Sequence, residues 1–322
     1  MVYIFYLYYL IQLNNHAQVG SHIHRCLNPR FSVYNLDYGN VLTKIISCII
    51  ITIADSHYTT LKVTFLGTGA ADWDINAFVP GQFHRRFSSA LINDDLLIDP
   101  GPHIFHFCEQ NGTPDLLDGV KNIIVTHSHG DHFTPETVAK LCVGKDCTVW
   151  ADPACKRKLI RVLGEETAER INFAETVRNR DYEIGGYKVT SLRSNHATED
   201  PDEDTRLYLI EENGRILYYG CDSAWIPTVS WNVIREKPVN AMVLELTCGE
   251  TATYDWRIFE HNTPEMLEIM LTMFRKYKLF APDVKYYVSH LARTLHTDHE
   301  RLVKYLEPMG VTPAYDGFSF EV

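Results

Sequence analysis

The chain has 322 residues, 45% of them apolar, and a net charge of −11. That length and apolar content suit a soluble globular protein built as one large α/β domain or two small ones. The acidic balance disfavours a long nucleic-acid groove, which needs clustered Lys and Arg to displace counterions. It leaves room for a small anionic substrate, because bound metals reverse the local field.

Residues 1–60 differ from the rest. They carry Arg25, Arg30 and Lys44 against Asp37 and Asp55, a net of +1, so the acidic excess lies wholly in residues 61–322. Met1–Leu13 and Ile45–Ala54 are apolar, but both fall short of the roughly 20 residues a membrane helix needs. Neither has the basic start and small-residue cleavage site of a signal peptide. Residues 1–60 read as an extension outside the native domain, upstream sequence read through from an early start. A self-contained domain is expected over 61–322.

From residue 61 strands alternate with turns and helices. Val63–Leu66 forms a strand that ends in Gly67-Thr68-Gly69, a turn where glycine allows a backbone conformation or close approach that other residues resist. Ser88–Ile92 and Leu96–Ile98 predict a hairpin around Asn93-Asp94-Asp95, closed by Asp99-Pro100-Gly101. Asn122–Val125 is a strand, and Thr134-Pro135 opens a helix to about Cys142. Strands at Lys188–Leu192, Arg215–Tyr219, Ala241–Leu246 and Val284–Val288 follow. Thr263-Pro264 caps an amphipathic helix to about Tyr277, and Thr297 with Glu300 predicts a capping box for a last helix ending near Gly310. No low-complexity linker interrupts this run, which predicts one domain of two similar halves. The eight cysteines contain no C-x-x-C pair and read as free thiols in a reducing, cytoplasmic compartment.

The stretch Thr126-His127-Ser128-His129-Gly130-Asp131-His132 carries the chemistry. On extended backbone, side chains two apart share a face, so His127 and His129 project together. Asp131 and His132 come round beyond the turn at Gly130. Imidazole and carboxylate donors in two pairs suit a borderline divalent metal such as zinc or manganese. Further along, His196, Asp222 and His290 each stand just after a predicted strand, so candidate donors gather at one edge of stacked sheets.

The H-x-H-x-D-H run followed by isolated His196, Asp222 and His290 resembles the metallo-β-lactamase superfamily over about residues 61–322. The resemblance implies an α/β fold, the four-layer αββα sandwich, with the site along one edge. It implies two divalent metal ions: His127, His129 and His196 on one, Asp131, His132 and His290 on the other, and Asp222 bridging. Two such cations roughly 3.5–4 Å apart can hold a bridging hydroxide and clamp both sides of an in-line displacement. Asp99 fits an orienting role, accepting the far ring N–H of a ligand imidazole; as a turn residue before Pro-Gly it needs no such role.

Within the superfamily, Leu244-Glu245-Leu246-Thr247, Glu260-His261-Asn262-Thr263, Tyr287-Val288-Ser289-His290 and Tyr315-Asp316-Gly317-Phe318 look like phosphodiesterase branches. So do Leu66-Gly67-Thr68-Gly69 and Arg86-Phe87-Ser88-Ser89. Their order is most similar to the cyclic-phosphate phosphodiesterase of bacterial phosphonate breakdown. The tRNA 3′-processing ribonuclease shares an acid-plus-His pair that Glu245 and His261 would reproduce. The resemblance makes His261 the group that contacts the phosphate and protonates the leaving oxygen, with Glu245 orienting it; a carboxylate beside it would raise its pKa. Asp131 joins them as a catalytic candidate. The first branch also carries a cysteine-rich structural zinc loop after its first turn, whereas Ala70–Arg86 holds no cysteine.

The expected function is dinuclear metal-dependent hydrolysis of a small phosphodiester, cyclic ones included. A lactonase or thioesterase is the alternative, then a tRNA-processing ribonuclease. No extended nucleic-acid surface and no membrane contact are expected, and a homodimer is compatible with the chain. His296 and His299 read as surface or helix-entry residues, and Trp225 as pocket wall or core.

Overall fold

A computed structural model of the chain describes residues 60–249 and 256–322. The extension expected at 1–60 lies outside the described residues, apart from Thr60. In chain order the first half comprises β1 (Lys62–Gly67), β2 (Ser89–Ile92), β3 (Leu96–Ile98), α1 (Ile104–Gln110), β4 (Asn122–Ile124), α2 (Pro135–Cys142), β5 (Thr148–Ala151), α3 (Pro153–Leu163), α4 (Glu165–Glu169) and β6 (Asn172–Glu175). The second comprises β7 (Arg180–Ile184), β8 (Tyr187–Arg193), β9 (Arg206–Glu212), β10 (Arg215–Gly220), α5 (Thr228–Ile234), β11 (Ala241–Glu245), α6 (Pro264–Tyr277), β12 (Lys285–Ser289), α7 (His299–Leu306), β13 (Val311–Pro313) and β14 (Ser319–Glu321).

Among the described residues the strands form two seven-stranded sheets, ordered β14-β1-β2-β3-β4-β5-β6 and β13-β12-β11-β10-β9-β8-β7. In the first, β1 to β3 pair antiparallel and β3 to β6 parallel. In the second, β7 to β10 pair antiparallel and β10 to β13 parallel. The two halves therefore share one plan, as the sequence predicts, and β14 returns to the first sheet to pair with β1.

Alternation along the strands builds the layers. Val63, Phe65, Ile98 and Ile124 of the first sheet share a buried cluster with Val189, Ile210, Tyr219 and Val243 of the second. Their neighbours point the other way. Leu97, Ile123 and Val149 pack under Phe107, Leu141 and Leu159 of the first set of helices, and Tyr218, Met242 and Val288 under Leu267, Leu271 and Leu302 of the second. Helix, sheet, sheet, helix is the αββα sandwich. Strands buried on both faces explain why the sequence shows continuous apolar runs rather than clean alternation.

The 93–95 hairpin forms as expected, with Asn93 and Asp94 at φ 47° and 72°. Gly67 and Gly69 are used for close approach: a Cβ on Gly67 would lie 1.9 Å from the Phe87 carbonyl oxygen. Two expectations are corrected. The last helix is capped by Asp298, whose carboxylate accepts from the Arg301 N–H at 3.0 Å, and not by Thr297. His296 is partly buried, its Nε2 2.6 Å from the Leu246 carbonyl, and is not a surface residue. The segment after β1 is pinned by Asp72, which accepts from the backbone N–H groups of Arg293 and Thr294 at 2.7 and 2.9 Å.

Candidate metal centre and active site

Strand ends deliver the site. The strand β4 stops at Ile124, one residue earlier than expected, and residues 125–132 form the histidine loop. The N–H groups of His132 and Phe133 donate to the His129 carbonyl and close its turn. Two groups not foreseen from the sequence hold this loop. Glu203 accepts from the Ser128 N–H at 2.7 Å and its hydroxyl at 2.5 Å, and Lys158 donates to the carbonyls of Ser128 and Phe133 at 2.6 and 2.9 Å. Gly130 has neither positive φ nor a neighbour that a Cβ would meet, so the turn does not depend on it. Gly101 is the constrained glycine, because a Cβ there would lie 2.3 Å from the Asp131 carbonyl oxygen. His196 follows β8, Asp222 follows β10, Glu245 ends β11 and His290 follows β12. Asp99, Asp222 and His290 all adopt left-handed φ, 56° to 60°. Such conformations concentrate where surrounding structure fixes a functional side chain.

The seven expected donors converge. Asp222 Oδ2 lies 3.3 Å from both His127 Nε2 and His132 Nε2, and 3.5 Å from both His196 Nε2 and His290 Nε2. On one side of it His129 Nδ1 is 2.9 Å from His127 Nε2 and 3.1 Å from His196 Nε2. On the other, Asp131 Oδ2 lies 3.4 Å from His132 Nε2 and 3.8 Å from His290 Nε2. Candidate donors thus stand on both sides of one shared carboxylate.

The outer hydrogen bonds test whether these donors suit a cation. His132 Nδ1 faces Asp99 Oδ2 at 2.9 Å, so it carries the proton. Thr126 gives its hydroxyl proton to Asp99 at 2.9 Å and can only accept from His127 Nδ1 at 3.0 Å. Thr247 likewise donates to Glu245 Oε2 at 2.6 Å and accepts from His290 Nδ1 at 2.7 Å. Each relay puts the proton on Nδ1 and leaves Nε2 a bare lone pair aimed inward. His132 Nε2 and His290 Nε2 face one another at 3.2 Å; against the effect of burial, Asp131 and Asp99 hold the His132 pKa well above its ordinary value, and a cation in place of that second proton would leave both Nε2 atoms free to donate. Burial, then the neighbouring imidazoles, hold the His127 pKa well below its ordinary value, which keeps it a neutral donor. The donor set fits divalent metal.

His261 sits beside this cluster with Nδ1 2.9 Å from Asp222 Oδ1, close but poorly aligned for a hydrogen bond. Burial acts to lower its pKa, but Asp222 and then Glu245 outweigh this and hold it up at about 11. Glu245 Oε2 stands 3.7 Å from His261 Nδ1, within ion-pair reach but too far for a hydrogen bond. Its carboxylate is fully buried and satisfied by the N–H and hydroxyl of Thr247 and the N–H of Asn262. Asn262 also donates to the carbonyls of Ser223 and Glu245 and accepts from the Trp225 N–H. Glu245 therefore positions His261 through the backbone of Asn262. Trp225 is 41% exposed and is neither core nor a wall of the site cavity.

A cavity of about 360 Å³ opens over the cluster, bounded by Ala71, Asp72, Trp256, Arg257, Glu260 and His261. Glu260 Oε2 lies 3.2 Å from His196 Nδ1, an ion-pair distance without hydrogen-bond alignment. Thr126, Thr247, Glu203, Glu260 and Asn262 act on the site without carrying a sequence signal of their own. Of the unassigned histidines, His103 packs against Phe87 and His106 accepts from Arg86 Nε at 3.0 Å, away from the donors.

The family described as the beta-lactamase superfamily domain matches residues 95–305. Ribonuclease Z of Picrophilus torridus is 25% identical over 146 residues, 43% of this chain and 45% of that enzyme, so the match spans under half of the relative's length. Among solved structures, a diphosphatase from the PhnP family is 19% identical at a TM-score of 0.61, covering 82% of this chain and 98% of its own. Zinc-bound PqqB from Methylobacterium extorquens is 17% identical at a TM-score of 0.62, covering 81% of this chain and 100% of its own. These structural likenesses are of fold.

Proposed function

This chain belongs to the metallo-β-lactamase superfamily of metal-dependent hydrolases, and from that premise we propose that it is a dinuclear phosphodiesterase acting on a small phosphodiester, cyclic ones included. His127, His129 and His196 would hold one divalent ion, Asp131, His132 and His290 the second, and Asp222 would join them; zinc and manganese both suit these donors. When bound, such a pair supplies a nucleophile at neutral pH and charge to clamp an in-line displacement.

The chain's own groups complete the chemistry. With Nδ1 turned to Asp222, His261 keeps Nε2 for the cavity it lines. A raised pKa keeps that nitrogen protonated at neutral pH, able to hydrogen-bond a phosphoryl oxygen and then protonate the departing oxygen. Asp99, Thr126, Thr247 and Glu245 fix the rings around it. The observation that carries the reading is this imidazole on the wall of the cavity, its Nδ1 2.9 Å from the Asp222 carboxylate that lies between the two sets of donors. Relatives named as a ribonuclease and a diphosphatase agree with chemistry at phosphorus.

The test is turnover of bis(p-nitrophenyl) phosphate and cyclic nucleotides by protein reconstituted with zinc or manganese, alongside metal counting. Asp222→Ala should lower both metal content and rate. Full turnover by that variant would remove the two-metal assignment. Lactone hydrolysis that survives His261→Ala would mark an acyl hydrolase instead, and salt-sensitive cleavage of precursor tRNA would mark a ribonuclease.

A further inference from the structure

A second, larger cavity of about 810 Å³ lies between the 72–85 segment and α7. It has its own walls. Ala292 borders both cavities, and the Asp72 bonds to the backbone of Arg293 and Thr294 fasten the partition between them. Trp73 is fixed in the wall by its Nε1–H, which donates to the Leu291 carbonyl at 2.7 Å. Phe83 stacks on His299 with ring centroids 5.0 Å apart and is still 53% exposed.

The charge of this cavity runs against that of the molecule. In a chain of net charge −11, its lining carries Arg85, Arg293, Arg301 and Lys304 against Asp298 and Glu300 among the described residues. Asp298 is already engaged by Arg301 at 3.2 Å. Arg85 is 3% exposed, and its partners are all uncharged: the Thr68 hydroxyl at 2.6 Å, the Ala314 carbonyl at 2.7 Å and His299 Nδ1 at 3.0 Å. The nearest carboxylate in that network, Asp316, is committed to Arg86 at 3.2 Å and to the Thr68 hydroxyl. A buried guanidinium is costly without an anionic partner. Here the charge lines a cavity that also offers two aromatic rings.

We propose that this cavity is a binding site, separate from the metal-donor cluster, for a small anion that carries a planar aromatic ring, a nucleoside monophosphate being the simplest common form. Arg85, with Lys304 at the rim, takes the anionic group, and Trp73 and Phe83 take the ring, since aromatic faces and guanidinium planes both stack on nucleobases. The bound anion supplies a direct ionic partner to Arg85, which otherwise meets the Asp316 carboxylate through the Thr68 hydroxyl they share.

Isothermal titration of the metal-loaded full chain with adenosine 5′-monophosphate, adenosine and inorganic phosphate tests this. The nucleotide should bind at least tenfold more tightly than either fragment. Phe83→Ala and Lys304→Ala, each confirmed folded by circular dichroism, should weaken nucleotide binding by tenfold and severalfold respectively. Both should keep bis(p-nitrophenyl) phosphate turnover within twofold. Asp222→Asn, which acts on the metal-donor cluster, should leave nucleotide affinity within threefold. Three results would overturn the proposal: no nucleotide binding at millimolar concentration, phosphate binding as tightly as the nucleotide, or binding lost in Asp222→Asn and unchanged in Phe83→Ala.

Discussion

Asp222 presents Oδ1 to His261 Nδ1 at 2.9 Å while its Oδ2 is shared by four imidazoles. One carboxylate thus connects the proposed proton donor to the metal donors. Loss of a general acid is felt most when the leaving group is a poor one. His261→Ala should cost about 10²–10⁴ in rate on alkyl phosphodiesters, and far less on p-nitrophenyl esters, whose phenolate leaves without help. Equal losses on both substrates, at unchanged metal content, would assign His261 to binding rather than proton transfer.

Thr247 joins His290 Nδ1 to the buried Glu245 carboxylate. Thr247→Val keeps the shape and removes the hydroxyl, so His290 loses the acceptor that sets its tautomer. Metal affinity should fall about 10–100-fold, read by competition with a coloured chelator, with the fold intact by circular dichroism.

At Gly101 a single methyl group would meet the Asp131 carbonyl. Gly101→Ala should destabilise the protein by about 1–3 kcal/mol through forced backbone movement and lower metal content by displacing Asp131. Gly130→Ala meets nothing and should retain wild-type metal content. Urea unfolding and metal analysis of the two variants give the comparison.

His299 accepts a hydrogen bond from Arg85 and must be neutral to do so. Burial, then Arg85, lower its pKa to about 4, against 6.5 for an ordinary histidine. As pH falls the unfolded chain takes the proton first, so the stability contributed here is whole above pH 6.5 and is lost as pH falls through about 4. His299→Asn offers an acceptor that does not titrate. In metal-stripped protein its urea midpoint should fall less between those limits than that of the wild type.

Asp316 anchors the C-terminal segment to Arg86 and to Thr68 in the first turn, with both members of the ion pair buried. Asp316→Ala leaves a buried guanidinium without its carboxylate and should cost about 3–5 kcal/mol, measured by denaturant unfolding.

Donors were legible because metal chemistry restricts residue type: His127, His129, Asp131, His132, His196, Asp222 and His290 are spaced unlike surface histidines, and strands precede four of the positions. The sandwich was expected from the resemblance carried by the donor pattern, and strand patterning alone did not specify it. Hydroxyls and amides were not legible. Thr126, Thr247 and Asn262 act through hydrogen bonds to neighbouring rings, carboxylates and backbone, a role that threonine and asparagine also fill at countless turns. Glu245 was legible as a neighbour of His261, but only the folded path of 245–247 shows Thr247 taking its Oε2. The strands β6 and β13 were missed because their three or four residues lack the continuous apolar run that marks the equally short β3 and β4.

The donors divide between the two sheets: His127, His129, Asp131 and His132 hang from the first, His196, Asp222 and His290 from the second. Neither half can assemble a full set of donors alone. Metal uptake through the proposed donors would then report the docking of one sheet against the other, and the free energy of binding would become cohesion across the inter-sheet core. A bound pair of ions would act as a rivet at one edge of the sandwich, and a chelator would loosen that edge first.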